Sequence, residues 1–296
     1  MLKWFKKTWF LILLLVLFIS SRSDRLSFRY EHGIVLQELK VIETKPISFE
    51  QIADGLHYLQ IGNDPAKPYV VFVHGSPGSL WDYGPYLKDS QLSKMANLVS
   101  VDRAGFGFSE FGKAELSLQK HADQLKDVLL NLHNEKIILV GHSYGGPILA
   151  KATMTYPTLV KGQIFIAPSI SPEHEPPNGW RKAANFPLLR WFTPPALKAC
   201  NQEIIPLKDE LLQMEQDWSK IMSPTTIIQG TLDKLVPMEN ATWGKKAMPQ
   251  NPYVKLVLLE KENHFILWTR SEVVKREIIS LCESLEKVEW TQITNL

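Results

Sequence analysis

The segment Gly141-His142-Ser143-Tyr144-Gly145 constrains this chain more than any other, because of what stands on either side of it. Lys136 to Val140 precedes it, a short β-branched-rich apolar run of the kind a fully buried parallel strand needs. Gly146 to Met154 follows and reads as a helix with Pro147 in its first turn. A serine pinned between strand and helix, with glycine two positions away on both sides, predicts the sharp turn known as a nucleophile elbow. Side chains at positions 141 and 145 would collide there with the neighbouring strand and helix. The serine is expected in a strained conformation that lifts its hydroxyl over the sheet edge. The string alone arises often by chance; the flanking strand and helix give it weight.

A serine hydroxyl is inert until a base takes its proton. Around such an elbow the partners follow in the order serine, acid, histidine. The acid candidate is Asp233, in the loop after a strand at 224–229 that ends at Gly230. The histidine candidate is His264, in a polar loop after a strand at 253–259. Each alone has a plain structural reading, since a loop aspartate usually forms a turn and a lone histidine is usually a surface or core residue. Together, in order and each just past a strand, they converge on one crevice, because the carboxyl ends of parallel strands meet there.

The organisation of the chain agrees. Strands are expected at 69–74, 97–101, 136–140, 162–167, 224–229 and 253–259. Helices are expected at 84–94, 117–133, 144–156, 238–247 and 270–285, the second with a buried stripe of Ala122, Leu125, Leu129 and Leu132. This alternation means an α/β fold, a doubly wound and mainly parallel sheet covered on both faces. Before it, 34–46 and 49–61 alternate like antiparallel strands, with a turn at Asp54-Gly55. The rhythm breaks between Ala167 and Ser223, where 8 of the 19 prolines gather with Trp180, Phe186, Trp191, Phe192 and Trp218. Prolines preclude long helices in its first half. Leu211, Met214, Trp218 and Ile221 fit one helical face after Pro206.

A tetrahedral intermediate also needs donors for its oxyanion. The strand from Pro68 runs into His74-Gly75-Ser76-Pro77-Gly78, and the strand at 97–101 into Asp102-Arg103-Ala104-Gly105-Phe106-Gly107. With these turns the chain resembles the α/β-hydrolase superfamily, in its large branch with His-Gly-x-Pro-Gly and Asp-x-x-Gly-x-Gly turns, over roughly residues 50 to 285. The resemblance implies Ser143 as nucleophile, His264 as general base and Asp233 as the acid that orients it. It implies an oxyanion hole from the backbone N–H groups of Ser76 and Tyr144, and a core of 34–167 and 224–290 with 168–223 as a lid. The lid aromatics then either line an apolar pocket or pack lid onto core. Glu173 is the competing position for the acid. His74, His142 and Asp102 are read as loop organisers, in line with how loop polar groups satisfy local backbone.

At 296 residues the chain suits one large domain with an insertion, and a net charge of +2 without basic clusters argues against a nucleic-acid binder. Cys200 and Cys282 show no metal or redox spacing and read as free thiols; no cofactor or metal is expected. At the amino terminus Lys3, Lys6 and Lys7 precede the apolar run from Trp9 to Ile19 and the small residues after it. This pattern predicts 1–23 as a signal peptide or an uncleaved transmembrane anchor, with the catalytic domain exported.

A serine nucleophile sets the chain apart from superfamily branches that attack with aspartate, the haloalkane dehalogenases and epoxide hydrolases. The expected activity is hydrolysis of a carboxylic ester with a small to medium apolar group, on a small-molecule substrate. The same triad also serves carbon–carbon bond hydrolases and proline-releasing aminopeptidases, for which Glu173, Glu175, Glu203, Glu210 and Glu215 are lid carboxylates. A non-catalytic ligand-binding protein on this fold is the alternative from another class.

Overall fold

The computed structural model describes residues 28–40, 45–53, 55–177, 179–187, 190 and 193–293. The expected signal or anchor at 1–23, Asp54 of the expected turn, and Trp191 and Phe192 lie outside the described residues.

An eight-stranded sheet runs through the molecule in the order β1-β2-β4-β3-β5-β6-β7-β8. Its strands are β1 (Ile47–Gln51), β2 (His57–Ile61), β3 (Tyr69–Val73), β4 (Asn97–Val101), β5 (Ile137–His142), β6 (Gly162–Ile166), β7 (Thr225–Gly230) and β8 (Val254–Leu259). β1 and β2 form an antiparallel hairpin whose second strand pairs antiparallel with β4; every pairing from β4 to β8 is parallel. The central strands are buried along their whole length and mainly apolar, as expected of a sheet covered on both faces.

Alternation along β3 shows the two layers. Val71 packs in a cluster with Leu125 and Leu129 of α4 (Leu118–Asn131) and Leu149 of α5 (Gly145–Thr155). Val70 and Phe72 face the opposite cluster, with Leu92 of α3 (Ser90–Met95) and Ile278 of α11 (Ser271–Ile293). The whole expected stripe of α4 is buried. The helix expected at 84–94 is two pieces, α2 (Gly84–Leu87) and α3, because the Asp89 carboxylate caps α3 by accepting from Gln91 and Leu92 N–H, both at 2.9 Å.

The amino-terminal stretch corrects the sequence reading. Over the first part of the strand expected at 34–46, α1 (His32–Leu39) forms instead, with Val35 and Leu39 buried at helical spacing and Ile34 and Leu36 exposed; 41–44 lie outside the described residues. The hairpin expected from 49–61 is built by β1 and β2.

The insertion between β6 and β7 contains α6 (Gly179–Ala184), α7 (Pro195–Ile204), α8 (Leu207–Met214) and a 3-10 turn (Glu215–Lys220). Its later part is core. Leu211, Met214, Trp218 and Ile221 all join the cluster under α5, and the Trp218 ring lies edge-on to Trp243 at 5.3 Å.

After β3 the chain crosses to β4 on one side, then returns to β5 on the other. The strand order therefore reverses between β3 and β5, which pair with Val73 opposite Gly141. A crevice opens outside the carboxyl ends of the strands at such a switch point.

Candidate active site

β5 ends at His142 and α5 opens at Gly145, so Ser143 stands in the gap with φ 52°, in the left-handed region a non-glycine residue seldom adopts. Its N–H donates to the Ile166 carbonyl at 2.9 Å, and its own carbonyl accepts from Gly146 at 2.9 Å and Ser169 at 3.2 Å. These bonds hold the strain in place. The glycines are required as the sequence predicts. A Cβ at position 145 would lie 2.3 Å from the Val73 carbonyl oxygen, and one at 141 would lie 2.9 Å from the Gly145 oxygen.

Asp233 follows β7, and its carboxylate is fully engaged. Oδ1 accepts from the Leu235 and Val236 N–H groups at 2.9 and 2.8 Å; Oδ2 accepts from Gln229 Nε2 at 3.0 Å and from His264 Nδ1 at 2.7 Å. Asp233 and His264 are both buried. With Nδ1–H given to the carboxylate, the lone pair of His264 Nε2 is the one available to take a proton. Ser143 and His264 line one cavity of about 570 Å³. No hydrogen bond joins the two side chains among the described residues, as is common before substrate binds.

Ser76 and Tyr144 line the same cavity, and neither backbone N–H is matched with an acceptor among the described residues. Beside the polar Asp82, Arg181 and Lys234, the cavity has an apolar wall. It is built by Ile204 and Leu207 of the insertion, Leu235 and Val236 after β7, and Phe265 and Trp268 after β8. Of the lid aromatics, the two whose side chains are described, Phe186 and Trp218, do not line it. Trp218 is in the core and Phe186 is 64% exposed.

The neighbouring polar residues have other tasks. His74, fully buried, faces the Gly75 carbonyl with Nδ1 at 2.7 Å and accepts from Arg103 N–H at Nε2 at 3.0 Å. Burial and the Arg103 charge hold it neutral, well below the usual histidine range. His142 donates Nε2–H to the His264 carbonyl at 3.2 Å, and burial pushes its pKa down to about 3. Asp102 ties its turn together, accepting from Leu80 N–H at 2.9 Å, Phe108 N–H at 3.1 Å and His57 Nδ1 at 2.9 Å.

The five lid carboxylates separate. Glu203, on α7, is fully buried and grips the Arg103 guanidinium with both oxygens at 2.9 Å. Glu210 accepts the Leu118 N–H at the start of α4 at 2.8 Å. Glu173 and Glu215 line a different cavity of about 620 Å³, so Glu173 is not the partner of His264. Glu175 alone faces the site, taking the Ser169 hydroxyl at 2.6 Å, and burial raises its pKa.

Sequence reasoning missed Gln229, Phe265, Trp268 and the Arg103–Glu203 pair. Gln229 carried a signal, being the long polar residue in an apolar strand four positions before the acid. Arg103 and Glu203 carried none, lying 100 positions apart. Cys200 and Cys282 are both buried. Among the described residues no group of three or more His, Cys, Asp or Glu is arranged to hold a metal.

The family model for the α/β hydrolase fold matches residues 68–199. With the sheet topology and the elbow, this match shows the α/β-hydrolase fold. Epoxide hydrolase 1 of Caenorhabditis elegans is 30% identical over 107 residues, 36% of this chain and 26% of that protein. The matches to the first three curated relatives span from about a quarter to about a half of their lengths. The (E)-2-((N-methylformamido)methylene)succinate hydrolase of Acinetobacter baylyi is 23% identical over 255 residues, covering 77% of this chain and 94% of that one. Among solved structures, a bacterial membrane phospholipase A shares the fold with TM-score 0.61 at 18% identity, over 95% of this chain and 99% of that chain.

Proposed function

We propose that this protein is a serine hydrolase that cleaves a carboxylic ester with a small to medium apolar group through an acyl-enzyme. The observation that carries the reading is the His264 Nδ1–Asp233 Oδ2 hydrogen bond of 2.7 Å at the wall of the cavity that Ser143 enters on a strained elbow. His264 Nε2 takes the Ser143 proton as Oγ bonds to the ester carbonyl carbon, and the carbonyl electron pair moves onto oxygen. Ser76 and Tyr144 N–H groups receive that oxyanion. Collapse expels the alcohol, which takes the proton from His264; water, activated by the same histidine, then releases the acid. Asp233 holds the imidazole in the working tautomer and stabilises its charged form. The apolar wall supports an alkyl or aryl group on the substrate, and the similarity to a phospholipase A accords with ester chemistry.

Glu175 is the one observation that favours the aminopeptidase alternative, since it is the lid carboxylate in the cavity. Its engagement by Ser169 and its raised pKa weaken it as a holder of an amine.

The test is turnover of chromogenic esters of graded acyl length beside the matching amides and proline amides, with fluorophosphonate labelling. Ser143→Ala should fold normally, lose labelling and lose roughly 10⁶ in turnover. Retention of a few per cent of activity would exclude Ser143 as nucleophile. Labelling of Ser143 without turnover of any substrate would favour the ligand-binding alternative.

A further inference from the structure

We propose that Arg103 and Glu203 are positioning residues for the oxyanion site: Glu203 holds Arg103 so that Arg103 fixes the Gly75–Ser76 peptide with the Ser76 N–H aimed into the cavity. The proposal rests on the serine-hydrolase reading above and adds to it a physical link between the insertion and the transition state.

The argument begins with one peptide plane. The Gly75 carbonyl and the Ser76 N–H belong to the same trans unit and point in opposite directions, so fixing one aims the other. The Gly75 oxygen is held from two sides, by Arg103 Nη2 at 2.9 Å and by His74 Nδ1 at 2.7 Å. His74 is locked as the Nδ1–H tautomer, because its Nε2 accepts the Arg103 N–H. Arg103 Nε also donates to the His74 carbonyl at 2.9 Å. Arg103 thus anchors both carbonyls that precede the donor, and no rotation of the Gly75–Ser76 plane keeps these bonds. A cation at the carbonyl end of a peptide also polarises its N–H toward a developing negative charge.

The second donor residue is held by the same group. The guanidinium carbon lies 4.8 Å from the Tyr144 ring centroid and 4.9 Å from that of Phe106, and the Tyr144 hydroxyl donates to the Glu203 carbonyl at 3.4 Å. Arg103 and Glu203 are 1% and 0% exposed, and their fork is bidentate. His121 Nε2 stands 3.7 Å from the same carboxylate. Glu203 comes from α7, and the next residue, Ile204, lines the apolar wall. An acyl group pressing on Ile204 therefore acts one residue from the carboxylate that sets the oxyanion donors.

The experiment uses the full chain, a soluble chromogenic butyrate ester and an alkyl boronic acid, whose tetrahedral Ser143 adduct places an oxygen in the oxyanion site. Arg103→Lys and Glu203→Gln should lower kcat about ten- to a hundredfold, with KM changed by no more than about threefold and boronate affinity lowered by the same factor as kcat. A merely structural pair would lower stability without this selectivity. The double variant Arg103→Met with Glu203→Leu leaves neither charge buried alone, and should regain part of the melting temperature that Glu203→Leu alone loses while kcat and boronate affinity stay low. Recovery of kcat together with melting temperature in the double variant would overturn the proposal, as would a folded Arg103→Lys protein with unchanged boronate affinity. Failure of the wild-type protein both to turn over any ester and to label at Ser143 would instead overturn the hydrolase reading on which the proposal stands.

Discussion

At the scale of single residues, the candidate triad was legible because each member sits just past a strand, where backbone geometry leaves a short-range mark. What surrounds the triad was not, because it depends on contacts between distant segments. Gln229 shows the difference: it shares Asp233 Oδ2 with His264, so it helps choose the direction in which the carboxylate points. Asp233→Asn should keep the fold and lower ester turnover by about 10⁴, since an amide favours the wrong imidazole tautomer. Gln229→Leu removes one hydrogen bond to a charged group and should cost about tenfold, mostly in kcat. Steady-state kinetics on the two purified variants checks both. His142 gives a pH effect on stability rather than on chemistry. Its pKa falls from 6.5 unfolded to about 3 folded, so the unfolded chain binds the extra proton and stability drops as pH falls below 6.5. The contribution lost approaches roughly 5 kcal/mol by pH 3. Replacing His142 with Gln should remove that part of the pH dependence, read as a smaller spread of melting temperatures between pH 7 and pH 4.

Among elements, most of the repeating strand–helix units lay close to their expected bounds because each carries its own hydrophobic period. The failures fell where a short apolar stretch leaves the period ambiguous, as at 34–46, and tertiary contact decides. For α1 that contact is a stack at its first residue. The His32 ring lies 3.8 Å from Phe49 and 5.0 Å from His57, and His32 Nε2 is 3.0 Å from His57 Nε2. His57 in turn gives Nδ1 to Asp102. Phe108 closes the stack, and Glu31 and Arg29 are the other charges near it. Two imidazoles share a hydrogen bond only while one keeps a lone pair, and burial together with His57 lowers the His32 pKa below 6.5. A lowered pKa means the docked helix loses stability as pH falls through and below that value. Amide exchange of 32–39, corrected for the intrinsic rate, should therefore accelerate on going from pH 7 to pH 5 ahead of the sheet. His32→Phe keeps the stack and should abolish the acceleration; equal exchange in both proteins at pH 5 would show that another group controls the helix.

For the molecule as a whole, the strand order puts Ser76, Ser143 and His264 around one crevice with Asp233 bonded to His264, and that much followed from the succession of strand ends. The reach of the amino-terminal stretch did not, because nothing in Phe28 to Tyr30 shows periodicity. Phe28 lines the cavity of the candidate site and packs against the cluster of Phe106, Ala196, Ala199 and Cys200, Arg29 lies over the Phe108 ring at 4.1 Å, and Tyr30 meets Trp81 at 6.4 Å. The apolar run ends at Ile19, nine residues before Phe28, and a chain of that length spans at most about 30 Å. If Trp9 to Ile19 enters a bilayer as its sequence predicts, the cavity is tethered within that distance of the lipid. Lys3, Lys6 and Lys7 favour the start of the chain on the inner side, against Arg22, Arg25 and Arg29. The expected outcome is full-length protein in the membrane fraction, with the catalytic domain digested by protease added to spheroplasts but not to intact cells. A chain beginning at Asp24 should be soluble and hydrolyse butyrate esters at the full-length rate. One beginning at Glu31 loses the Phe28 side chain from the cavity, and its KM for longer acyl esters should rise about tenfold, the worth of one buried aromatic contact. Full-length protein found wholly in the cytosol with residues 1–20 attached would rule out the export reading, and equal KM values for the two shortened chains would show that Phe28 takes no part in holding the acyl group.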